Sequence, residues 1–177
     1  MLGNARRTAT LTALVLSSGL ALSAAPPARG VTSSAALDRF KALAGDWVSA
    51  EDGPMSKKGD LTARYAVTAG GSAVVETVFP GSPHEMVTVY HADGPDVVLT
   101  HYCVEGNQPS MRARNATGAR LEFVFEGGGR IDPKHDRHMH SATLEFVGAD
   151  EIRSEWTELA EGKPVLVARS HLVRQAR

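Results

Sequence analysis

The sequence predicts an all-β protein: about ten antiparallel strands in chain order, closed into an up-and-down barrel, with one short helix ahead of them. Three observations predict it. After Gly45 the apolar residues recur with the two-residue period of strands. Turn-forming residues interrupt that period roughly every 8–12 residues. The connections defined this way are nearly all short, which suits a meander better than the long crossovers of a two-sheet sandwich. A meander must hide its two outer edges, and closing into a barrel does so.

The helix is read over "SSAALDRFKALAGDW", with Ser34 as N-cap, Leu37, Phe40 and Leu43 at intervals of three, and Gly45 as the stop. Trp47 opens the first strand. Residues 61–68 follow and end at Gly70-Gly71; 73–79 end at Pro80-Gly81; 85–91 end at "ADGPD". Residues 97–105 run to "GNQP", 111–115 to "ATGA", and 120–126 to "GGGRIDPKHD", the longest break. Strands 138–147, 151–159 and 164–174 complete the series, separated by "GAD" and "AEGK".

Ahead of this domain, Arg6 and Arg7 precede an uncharged apolar run, Leu11 to Leu22, and then "SAA" at 23–25. This is the pattern of a secretory signal, and the run is shorter than the ~20 residues a membrane-spanning helix needs. The expectation is a signal peptide over 1–25, a flexible Pro/Gly/Ser leader over 26–34, and a barrel domain over 35–177. The protein is then periplasmic or extracellular, with no stable membrane span after cleavage. The chain carries 19 Lys and Arg against 20 Asp and Glu, and loss of Arg6 and Arg7 leaves 17 against 20. No basic patch is present to neutralise a phosphate backbone, so nucleic acid is not an expected partner. A single cysteine, Cys103, cannot form an internal disulfide, which leaves stability to packing.

"LAGDW" (Leu43 to Trp47), a short helix running into Gly-x-Trp at the first strand, resembles the opening of lipocalins and the wider calycin group. That resemblance implies a Trp closing one barrel end beneath the helix. "LTHYCVEGNQPSMRA" (99–113), "DPKHDRHMHSATLEF" (132–146) and "SEWTELAEGKP" (154–164) are similar to a group of exported bacterial calycin-like proteins. The likeness covers roughly residues 36–174; it implies the fold and supplies no activity. Haem-binding nitrobindin-like barrels share the shape, but their glycine-rich run after Gly-x-Trp is replaced here by "GDWVSAEDGP", so haem is not expected.

The chemistry-bearing residues cluster in four places. His138 and His140 lie on one line of their strand with Ala142, Leu144 and Phe146, an apolar line expected to face inward. His-x-His on a strand can chelate zinc if a third ligand converges; lining a polar pocket or mouth is the competing role. His101 and Cys103 share one face of 97–105, but both faces are mixed and periodicity does not decide which is internal. Asn107 and Gln108 sit in the following loop, where amides serve a ligand or a turn equally well. Trp156 shares a line with Ile152, Ser154 and Glu158, as core or pocket wall. Arg169 and His171 share a line with Val165, Val167 and Val173, read as inward, so they suit an anionic ligand or an internal ion pair with Glu76 or Glu122.

The functional expectation is an exported, non-catalytic barrel that encloses a small apolar or amphipathic molecule, anionic if Arg169 and His171 hold it. His101, Asn107, Gln108, His138, His140, Arg169 and His171 would orient it, and Phe146 and Trp156 would supply contact area. No cofactor is expected, zinc on His138 and His140 being the one metal the residues suggest. Two rivals stand beside this: a zinc-assisted hydrolase on that His pair, and a cell-envelope interaction protein whose barrel is filled by its own side chains.

Overall fold

The computed structural model describes residues 35–176. The signal segment 1–25, the leader 26–34 and the Ser34 cap lie outside them. Helix α1 (Ala35–Ala42) precedes β1 (Gly45–Ser49), β2 (Leu61–Thr68), β3 (Ala73–Val78), β4 (Met86–Asp93) and β5 (Asp96–Tyr102). β6 (Ser110–Ala113), β7 (Arg120–Gly127), β8 (His138–Phe146), β9 (Glu151–Ala160) and β10 (Lys163–Arg174) follow. Each strand pairs antiparallel with its chain neighbours and β10 returns to β1, closing a ten-stranded barrel consistent with a calycin-like fold. Among the described residues no helix is long and apolar enough to cross a membrane.

Local chemistry explains where strands stop. β5 ends one residue before Cys103, because Gly106 takes a φ of +79° and its N–H bonds Cys103 O at 3.0 Å, tightening the turn. β6 is cut short at Ala113 by Asn115, whose φ of +47° takes the backbone out of the extended region; Asn tolerates this better than most residues.

One end of the barrel is plugged by α1. Phe40, fully buried, stacks on Tyr90 at 4.4 Å between ring centroids and meets Phe146 edge-on at 5.4 Å. Trp47 is fully buried beneath the helix, and its indole N–H donates to Leu43 O at 2.7 Å. Arg174 lies over that indole at 4.6 Å and donates to Ala42 O and Ala44 O, so a cation satisfies carbonyls at the helix C-terminus. The Gly-x-Trp reading is therefore realised: the Trp seals one end.

β10 is longer than its neighbour. β1 covers it only from Leu172 to Arg174, and among the described residues Lys163–Arg169 has no strand partner on that side. The register also breaks between Pro164 and Leu166, where Val165 is the extra residue. Beyond that bulge Leu166, Ala168, Ser170 and Leu172 are on the inward line, opposite Glu158, Trp156, Ser154 and Ile152, and Leu166, at the overhanging end, is still 44 % exposed. Val165 (51 % exposed) and Val167 (40 %) are left on the surface.

Candidate functional site

A polar chain crosses the inner wall from β2 to β5, through cross-strand partners Tyr65, Glu76, Thr88 and His101. Glu76 lies on the inward line of β3 and is buried; Tyr65 donates to one of its oxygens at 2.7 Å and Tyr90 to the other at 2.6 Å. Burial pushes the Glu76 carboxyl above its usual range, and the two phenolic donors oppose that rise. Burial, with the neighbouring carboxyl, holds both phenols well above 10. Opposite Glu76, Thr88 pairs across β4 and β5 with His101, its hydroxyl 2.9 Å from His101 Nδ1. Trp156, half-buried, lies against the imidazole at 4.9 Å. Burial lowers the His101 pKa from 6.5 to about 4, so the ring is neutral at neutral pH. The space beside this chain, lined by Glu76, Tyr90, Leu99, Phe123 and Trp156 among others, is about 10 Å³, room for about one water.

The far end, opposite α1, holds the second group. His138 is fully buried against Phe125, ring centroids 4.7 Å apart, and His140 stacks on the same ring at 5.5 Å. His140 occupies a bulge in the β8–β9 ladder, between Met139 and Ser141, which departs from the simple alternation the sequence pattern assumes. The tautomers of the neutral pair follow from the partners. His138 Nδ1 lies 2.8 Å from Asp136 O, a carbonyl that can only accept, so Nδ1 carries the proton. His138 Nε2 then accepts from His140 Nδ1 at 3.1 Å, and His140 Nε2 is left with its lone pair free. Burial first, and His138 second, lower the His140 pKa. Beside them buried Glu158 receives both arms of Arg137, each at 2.8 Å.

The loop 128–137 is folded against the β5–β6 turn. Asn107 Nδ2 donates to Arg137 O at 2.7 Å, which fixes the amide so that Oδ1 points the other way. A Cβ on Gly128 would lie 2.3 Å from Gln108 O, so the approach requires glycine there. Two buried side-chain polar atoms among the described residues have no hydrogen-bond partner: His101 Nε2 and Asn107 Oδ1. Both belong to one hairpin, since His101 N–H bonds Pro109 O at 3.0 Å and Cys103 N–H bonds Asn107 O at 3.1 Å. Cys103 is half-buried between them; burial raises its thiol, the reverse of what an activated thiolate needs.

The sequence-derived candidates therefore divide. His101 with Trp156, and His138 with His140, lie within the central and far parts of the barrel, with Asn107 at the adjoining turn. Gln108 secures its own turn, donating to Gly106 O at 3.2 Å. Phe146 belongs to the plugged end, against Phe40 and under Arg39 at 4.0 Å. Arg169 and His171 are corrected outright: they are on the outer wall. Arg169 pairs with Glu155 at 2.8 Å and His171 with Glu151 at 2.9 Å, not with Glu76 or Glu122. The valines that share their line mark the outside of an overhanging strand, not the core. Glu76, Tyr65, Tyr90 and Thr88 were missed as a unit. Their signal was a lone acid at 76 on the line of Val74 and Val78, facing tyrosines on two neighbouring strands. Glu158 was placed on the line of Trp156 but given no partner, because Arg137 lies in the long break.

No group of three His, Cys, Asp or Glu side chains among the described residues is arranged to hold a metal ion. The imidazoles of His138 and His140 are instead joined to each other, with a single free lone pair between them. The chain matches no family model, and no curated protein matches it.

Proposed function

We propose that this protein is an exported, non-catalytic carrier or sensor that binds a small apolar or amphipathic molecule at the far end of its barrel. One observation carries the reading. Among the described residues every other buried side-chain polar atom is matched, whereas His101 Nε2 and Asn107 Oδ1 are both unmatched and both on the β5–β6 hairpin. Leaving such a group unpaired costs about 1–3 kcal/mol, and a ligand that satisfies them recovers it. Trp156, half-buried, lies against the His101 ring, and half-buried Phe125 lies against His138 and His140. Neither orphan atom is open to solvent, so a ligand reaches them only if neighbouring side chains move aside, Trp156 against His101 among them. The three stretches resembling exported calycin-like proteins also converge here. Asn107 contacts Arg137, His101 contacts Trp156, and Arg137 contacts Glu158.

The test is uptake of the neutral fluorescent probe N-phenyl-1-naphthylamine by the mature protein. Micromolar binding that weakens about tenfold in Trp156→Ala is expected, the loss of one aromatic anchor. Absence of uptake, or uptake indifferent to Trp156, defeats the reading. A second reading, a filled barrel acting through its surface, draws on the small central space and on exposed Val165, Leu166 and Val167. Native mass spectrometry separates the two: a retained small molecule favours binding, and a ligand-free oligomer favours the surface.

A further inference from the structure

We infer that the molecule taken up at the far end is uncharged and presents a hydrogen-bond donor (an alcohol, phenol or amide on an apolar body) to Asn107 Oδ1 and the His101 ring. This rests on the binding reading above and narrows it to a ligand class.

Asn107 Oδ1 is an acceptor, because the Nδ2 of the same amide is held by Arg137 O, so its partner must bring an N–H or O–H. His101 Nε2 is either a lone pair or an N–H, according to whether Thr88 accepts from or donates to Nδ1. A primary amide, with two N–H donors, serves both atoms in either case; a hydroxyl, with one proton, serves both when Nε2 carries the N–H, donating to Asn107 and accepting from His101. A carboxylate serves only the second, and cannot serve Asn107 at all.

Charge points the same way. Arg137, whose carbonyl holds the Asn107 amide, has both its arms on Glu158, with Glu105 at 3.6 Å, and Arg112, on the hairpin itself, is held by Asp93, Asp96 and Glu126. Arg169 and His171, the groups that made an anionic ligand attractive, are on the outer wall, each on its own glutamate. The His101 ring is neutral, and burial keeps His140 from protonating as readily as a free imidazole. A carboxylate entering here would lose water without gaining a counter-charge. A cation fares no better, since both oxygens of Glu76 already accept phenols and both of Glu158 accept Arg137.

The experiment is a charge series of one chain length at pH 7.5: 1-decanol, decanoate and decylammonium, each below its micelle concentration, displacing N-phenyl-1-naphthylamine. Decanol is expected to displace the probe at concentrations at least about tenfold lower than either ion, the margin of one uncompensated charge at a partly screened site. In Asn107→Leu that margin should shrink to about threefold or less, as the alcohol loses its acceptor. Decanoate binding as tightly as decanol overturns the inference while leaving the binding reading in place. So does probe uptake that none of the three displaces. Failure of the probe to bind at all removes the binding reading first and this inference with it. The wild-type series decides the question even if Asn107→Leu does not fold.

Discussion

At the plugged end of the barrel Trp47 and Phe40 are without exposed surface, the indole N–H has its carbonyl, and Arg174 reaches two carbonyls at the helix terminus. From the centre to the far end Trp156 and Phe125 are half-buried, a bulge holds two imidazoles together, and two polar atoms, one on His101 and one on Asn107, lack partners. The same strands build both ends, so the contrast is one of side chains and not of topology. One end is spent on stability. The other leaves two buried polar atoms unmatched, which is what the proposed ligand would satisfy.

Three substitutions sharpen that contrast. The largest effect belongs to the plug. Trp47→Ala removes a fully buried indole that supports α1 and stacks with Arg174; it should lower unfolding free energy by about 3–5 kcal/mol in urea titrations. A loss under 1 kcal/mol would mean the helix end is not the stable half.

Next comes the buried imidazole at the centre. His101 stays neutral in the folded barrel down to about pH 4, whereas the unfolded ring protonates near 6.5. As pH falls the unfolded chain takes up this proton first. The His101 contribution is therefore complete above 6.5 and is lost as pH drops towards 4, by up to ~3 kcal/mol. Glu76 works in the opposite sense: its raised value makes its contribution complete at low pH and lost as pH rises through the folded value. The readout is thus the difference between wild type and His101→Leu across that range, with Glu76 common to both. Parallel stability curves would refute the assignment.

The smallest effect is on the outer wall. Arg169→Ala breaks an exposed pair with Glu155 and should change stability by less than about 0.5 kcal/mol. Its probe affinity should be that of wild type. A tenfold loss of affinity would return Arg169 to the site.

Much of the barrel was legible because strands and turns are local. Gly70-Gly71, Pro80-Gly81 and Gly106 punctuate a two-residue period, and every strand lies within a few residues of where that period places it. Facing was less legible. On β5 both lines are mixed, and only the register shows Val97, Leu99 and His101 turned inward opposite Ala113, Met111 and Thr88. On β10 the pattern misled, because Val165 and Val167 suit a strand for their β-branching while small Ala168 and Ser170 fill the narrow inner side. The site itself was half visible. Histidines announce themselves in a sequence, but that Asn107 and His101 would end up unmatched depends on where a ten-residue break, 128–137, folds back.

The overhang of β10 has a consequence for how the molecule behaves in a crowded compartment. A run of backbone donors and acceptors open on one side invites any extended peptide to add itself as a further strand. Val165, Leu166 and Val167 would welcome it, but they are bracketed by Lys163 and Pro164 on one flank and Arg169 on the other. Proline offers no amide hydrogen to an incoming strand and Lys163 places a charge at the flank, the two features that disfavour pairing at this edge.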